Sequence, residues 1–247
     1  MRLVKLTATV LFIAVVPVFI IASNVRWVIS TPLLYGYGFD KYDIPAHTPL
    51  RVERSELMSA ARQIRDYFSN DEEDITISVV VMGVRVQNLY RSREILHMRD
   101  VKGLVRGVYR LQEAAGLYLL AFAAFGLALW RRDFLPRLAR AAVLGGALTL
   151  ALVVLVGLVS LVGFDRLFLA FHLVSFSNDL WLLDSRTDFL LAMFPEGFFF
   201  DATIWIAGST IIEALLIVAG LLAYLRWRPS RRHQSGAETV TVTGGTT

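Results

Sequence analysis

The sequence predicts a mainly α protein: a four-helix transmembrane bundle with a small α+β extracytoplasmic loop domain and a second, aromatic-rich outer loop. Three observations carry that prediction. Four uninterrupted apolar runs have the length of a membrane span, and arginines gather at the ends of those runs. In addition, 55% of the 247 residues are hydrophobic against 19% charged, with a mean hydropathy of +0.55. A soluble domain of this size buries its core without unbroken apolar stretches, so the excess points to the membrane. The net charge of +4 would suit a nucleic-acid partner, but the basic residues flank the spans and form no stripe, so no nucleic acid is expected. With no cysteine in the chain, disulfides, thiolate nucleophiles and Cys-based metal sites are excluded.

A hydrocarbon core of about 30 Å takes about 20 apolar helical residues. Residues 6–23, 114–130, 141–164 and 203–225 meet that need, and each must be helical because lipid offers no partner for backbone N–H and C=O groups. Arg2 and Lys5 precede the first run, which reads as a retained helix, with a cleaved secretory signal as the alternative. In the third run, Ala141 with Gly145 and Ala142 with Gly146 provide small residues for close helix packing. Orientation follows from the short loops. Arg131, Arg132, Arg137 and Arg140 lie in the 131–140 connection, and Arg226, Arg228, Arg231 and Arg232 follow the fourth run. Residues 165–202 hold six acids and only Arg166 and Arg186. The expectation is a multi-pass cell-membrane protein with both termini cytoplasmic and both long loops, 24–113 and 165–202, outside. The tail, 226–247, is polar from Pro229 onward and reads as disordered.

The first long loop is large enough for a small domain. Tyr35-Gly36-Tyr37-Gly38-Phe39 reads as a turn-rich aromatic segment near the headgroups. Apolar residues recur at helical spacing from Arg54 to Ser69 (Leu57, Ala60, Ala61, Ile64, Phe68), with Ser55 as a candidate cap. Asn70-Asp71-Glu72-Glu73-Asp74 lacks the alternating ligands and glycine of a calcium loop and reads as a solvated turn. Ile75 to Val81 and Val84 to Leu89, separated by Met82-Gly83, predict a hairpin. The segment REILHMRDVK (93–102) then leads toward the second span. In a helix, His97 and Asp100 share a face, where a carboxylate can fix an imidazole tautomer; the plain alternative is a solvated, charge-rich helix.

The second long loop is the most informative. Residues 164–205 contain nine of the 16 phenylalanines, with Trp181 and Trp205. An interfacial aromatic belt explains the rings but not the polar residues among them. His172, Ser175 and Asp179 stand at i, i+3 and i+7, which predicts one polar helical face surrounded by Phe168, Phe171, Phe176 and Leu183. Such a stripe costs free energy unless it is satisfied or lines a cavity. Asn178, Asp184, Asp188, Glu196 and Asp201 add polar groups nearby, and Pro195 ends any helix. Glu213, near the middle of the fourth run, is expected neutral or paired inside the bundle, with a proton relay as the second reading.

At 93–102 and at FHLVSFSNDLWLLDSRTDFLLAMFPEGFFFD (171–201) the chain resembles the bacterial integral-membrane family that includes the lipoprotein intramolecular transacylase. Ser185 departs from the family pattern, which has proline after the aspartate. The four-span layout extends the resemblance over nearly the whole chain apart from its tail. The resemblance implies acyl transfer from the sn-2 glycerol ester of a lipid-anchored lipoprotein to its N-terminal amine, without a cofactor, with membrane lipids and lipoprotein as partners. It maps the family's two functional histidines onto His97 and His172. The chemistry suits them: His172 serves as base, and His97 as acid or oxyanion donor, the two roles being exchangeable. Asp100 and Asp179 would orient the rings, while Ser175, Asn178, Trp181, Phe168, Phe171 and Phe176 would contact substrate. Two alternatives remain at this stage: a metal-dependent hydrolase using the histidines with Asp100, Asp179 or Asp184, and a non-catalytic protein binding lipid or a partner through its outer loops.

Overall fold

The computed structural model describes residues 2–47, 51–130 and 134–227. The elements run α1 (Arg2–Ser30), α2 (Pro32–Lys41), α3 (Ile44–His47), α4 (Arg54–Ser69), β1 (Val79–Val81), β2 (Val84–Val86), α5 (Ser92–Trp130), α6 (Leu135–Ser175), α7 (Phe189–Met193) and α8 (Glu196–Trp227). Four of them, α1, α5, α6 and α8, are long and apolar enough to cross a membrane. At 39 and 41 residues, α5 and α6 far exceed the length a span needs. Their surplus turns, 92–113 and 165–175, continue into the side of the two long loops, and each carries one of the histidines. Within α6, Gly163 leaves helical dihedrals (φ −170°, ψ 72°). That kink falls where the apolar run ends, so the last turns of α6 can leave the bundle axis.

Small residues set the bundle packing. α6 lies between α1 and α8: a Cβ on Gly145 would come 2.6 Å from Val16 of α1, and one on Gly146 would come 2.7 Å from Val218 of α8. With so little driving force for helix association in lipid, this close backbone approach supplies the contact. α5 packs on α1 and barely touches α6. Glu213 accepts a hydrogen bond from Asn24 Nδ2 of α1 at 2.9 Å, the paired arrangement expected for it. Trp27 and Trp205 stack at 6.3 Å, with Tyr37 5.7 Å from Trp205, forming an aromatic belt.

The two long loops share one apolar core. Phe39, Val52, Leu57, Ile64, Tyr67 and Ile77 of the first pack with Phe189, Met193 and Phe194 of the second. The amphipathic pattern of α4 is realised, with Leu57, Ala60, Ala61, Ile64 and Phe68 all buried. Its N-cap, however, is Glu53 and not Ser55, and no side chain caps it. The hairpin pairs Val79 with Val86 and Val81 with Val84. Met82 (φ 52°) and Gly83 (φ 80°) take the two left-handed positions that a tight hairpin turn with matching twist requires. One further expectation is corrected. Tyr35–Phe39 is helical, within α2, because Thr31 and Pro32 open a helix; Gly38 in it leaves room for the Phe198 ring. The acidic turn 70–74 is solvated as expected, and it also forms surface ion pairs: Arg99 reaches Glu73 (2.7 Å) and Asp74 (2.6 Å), and Arg106 reaches Asp71 (3.0 Å). The connection at 131–133 and the tail beyond Trp227, with most of the arginines used for orientation, lie outside the described residues.

Candidate active site

His97 sits on the second turn of α5, and His172 on the last turn of α6. The rings come together with centroids 6.3 Å apart and planes inclined by 28°. They are walled by aromatics. Phe176 stands 5.1 Å from His97 and 5.7 Å from His172, Phe168 lies 4.4 Å from His172, Trp181 5.0 Å and Phe171 5.3 Å. Residues 75 positions apart in sequence thus meet in one aromatic cluster.

The two imidazoles differ in their bonding. His172 Nδ1 donates to the Phe168 carbonyl at 2.7 Å. That bond makes Nδ1 the protonated nitrogen and leaves Nε2 with the lone pair in the neutral ring. His97 Nδ1 is buried with no partner. Burial first, and the neighbouring His172 second, push the His97 pKa down to about 4, against a smaller upward pull from Asp100. His97 is therefore neutral near pH 7. As a neutral ring it can still donate one N–H to a developing negative charge.

Neither Asp100 nor Asp179 is hydrogen-bonded to a histidine, although Asp100 still pulls on His97 through its charge. Asp100 accepts a hydrogen bond from Asn178 Nδ2 at 2.9 Å, and no hydrogen bond joins it to His97. α6 ends at Ser175, where Phe176 turns extended (φ −127°, ψ 133°), so Asp179 does not share a helical face with His172. Asp179 is exposed, and it is its backbone carbonyl that is held, by Arg93. Ser175, Phe176 and Asn178 line a groove of about 610 Å³ that begins at Asp100 and follows Gly103, Gly107 and Leu111 along α5. Asp184 is paired with Arg186 at 2.7 Å, Asp188 with Arg91 at 3.6 Å, and Asp201 with Lys41 at 2.7 Å. Among the described residues, no three His, Asp or Glu side chains converge as metal ligands.

Sequence reasoning missed Glu94. It is fully buried, with 0% exposure. One carboxylate oxygen accepts the Arg91 N–H at 2.7 Å, capping the start of α5, and the other accepts the Leu190 N–H at 2.6 Å, on the first turn of α7. Burial raises its pKa against the pull of those two hydrogen bonds. The local signal was an acid in the first helical turn; its partner 96 residues away left no trace in spacing.

Fold and site together define a polytopic membrane protein with a two-histidine pocket at one end of its helical bundle. The family profile described as lipoprotein intramolecular transacylase Lit matches residues 10–199, and the chain belongs to that family. The solved structure of the lipoprotein intramolecular transacylase Lit from Bacillus cereus superposes with a TM-score of 0.68 at 18% identity, over 92% of this chain and 97% of that one. Two structures of the same Bacillus cereus protein, with one histidine replaced by arginine or by alanine, match at 20% identity and the same TM-score of 0.68. They cover 89% of this chain and 91% and 92% of theirs. No curated protein matches.

Proposed function

We propose that this protein moves an acyl chain within a lipid-anchored lipoprotein, from the sn-2 glycerol ester to the α-amine of the N-terminal cysteine. The observation that carries this reading is the unpartnered, buried Nδ1 of His97 beside an imidazole whose tautomer is already fixed. A buried polar atom without a partner is costly, and an ester oxygen between the rings would satisfy it. His172 Nε2 takes the proton from the attacking amine as the C–N bond forms. The N–H of neutral His97 then stabilises the oxyanion. When the C–O bond breaks, His172 returns the proton to the departing glycerol oxygen, so no other acid is consumed. The aromatic wall excludes water, which would otherwise compete with the amine. Because donor ester and acceptor amine belong to one substrate, holding them together supplies much of the remaining rate. The groove along Gly103 and Gly107 has room for an acyl chain of that substrate. Arginines at 137, 140 and 226 support an orientation with both termini cytoplasmic and the histidine pocket on the outer face.

The test is direct. The chain is expressed in a host whose lipoproteins are diacylated, and the N-terminal lipid form is read by mass spectrometry. A lyso-form lipoprotein with an N-acyl group is the expected product. Both acyl chains remaining on glycerol, with the protein folded and inserted, would refute the proposal.

A further inference from the structure

We propose that Glu94 is the positioning residue of the histidine pair: its carboxylate latches the helix that carries His97 to the loop that walls His172. The inference rests on the acyl-transfer reading only for its catalytic consequence. Helix packing does not set the spacing of the two rings, because α5 barely touches α6. Contacts between α5 and the second long loop must do so: Phe176 packs on His97, and polar links fasten the two segments beside it. Asn178 with Asp100, and Arg93 with the Asp179 carbonyl, are exposed, where water competes and the bond adds little rigidity. The link through Glu94 is buried, charge-assisted and short at both ends. It also lies one turn before His97, so any shift in the latch moves that ring. From Leu190 the constraint passes into α7 and back along the loop that carries Trp181 and Phe176 against the rings.

The chemistry requires a carboxylate. Two N–H donors from different segments converge on one side chain, and only a group with two acceptor oxygens serves both. Glutamine keeps the shape but removes the charge and turns an NH₂ toward one of the donors, which weakens the link to the Leu190 N–H. Glu94→Gln is therefore the informative substitution. Leu190→Pro opens the link between the two loops from its other side by deleting the N–H, at a first-turn position of α7 where proline is tolerated.

The experiment uses the absence of cysteine in the chain. Spin labels at Ser92→Cys and Ser185→Cys, both exposed, report the distance between the start of α5 and the second loop in the full-length protein. In Glu94→Gln the distance distribution is expected to broaden. Acyl transfer should lose on the order of 10²-fold in kcat, the cost of a misplacement of about 1 Å, with KM nearly unchanged. Leu190→Pro should reproduce the loss, and the double variant should lose no more than either single one, because both break one bond. An unchanged distance distribution in both variants overturns the latch, whether or not the parent transfers acyl groups. Additive losses, or a fall confined to KM, overturn the positioning role. If the parent shows no acyl transfer, the transfer reading fails while the label distances still decide the latch.

Discussion

The first long loop adds a row of charged side chains on α5 to the shared apolar core, whereas the second adds rings at the histidines and one buried carboxylate. Arg99, Lys102 and Arg106 follow α5 at helical spacing and take up the acidic turn 70–74, with Lys102 Nζ also 3.9 Å over the Tyr67 ring. Lys102 is buried, but the carboxylates paired with Arg99 and Arg106 are well exposed. Phe176 and Trp181 of the second loop instead press on the histidines, and its Leu190 N–H is held by Glu94. Exposed ion pairs tolerate small displacements at little cost. Packed rings and buried hydrogen bonds do not. The first loop is thus built as a scaffold, and the second as a wall that fixes reacting groups.

The sharpest test of that division is removal of the imidazoles. His172→Ala and His97→Ala are each expected to lower acyl transfer by about 10²- to 10⁴-fold, while thermal unfolding in detergent stays cooperative. His172→Ala should be the more severe, because it deletes both halves of the proton transfer. Comparable activity in either variant, measured as N-acylated product per time, would separate the pocket from the chemistry.

A pH titration of stability sharpens the same comparison. His97 has an ordinary value of 6.5 and a folded value of about 4. Between those limits the unfolded chain binds the proton and the folded one does not, so stability rises with pH across that window and falls as pH drops from about 6.5 to about 4. At one pKa unit per 1.36 kcal/mol the full loss is on the order of 3 kcal/mol. Unfolding of the parent and of His97→Ala in detergent at pH 7 and pH 4.5 should show a steeper acid loss in the parent. Parallel curves would mean that the ring is hydrated.

Much of this architecture is legible in the chain. Apolar length identifies the four spans, since the constraint on each is local: a run of residues and a bilayer of fixed thickness. The hairpin at Met82-Gly83 and the buried stripe of α4 are legible for the same reason. Helicity of Tyr35–Phe39 is marked just as locally, by the Thr31 cap and Pro32 at its start, but two glycines in five residues mask it. Within the site, His172 stands out as a polar group in an apolar segment. Its surroundings do not. Regular spacing suggests Asp179 on the His172 face, but the helix stops at Ser175, and the group that anchors His172 is the Phe168 carbonyl, which every residue type would offer. Glu94 is hidden because one of its two partners is a backbone N–H from the other loop.

The smallest effect belongs to the scaffold side. Asp71 is fully exposed at 101% and pairs with Arg106 at 3.0 Å. Asp71→Ala removes that pair and leaves the apolar core and the pocket untouched. The expected cost in unfolding free energy is close to nothing even at low salt. It should shrink further in 1 M salt, where the screening length is only about 3 Å. Acyl-transfer kcat should be the same as in the parent within error. A clear fall in kcat from this substitution would break the comparison, since it would mean that displacement of the first loop reaches His97 through α5. The charged fastening would then be part of the positioning that is here confined to Glu94 and the second loop.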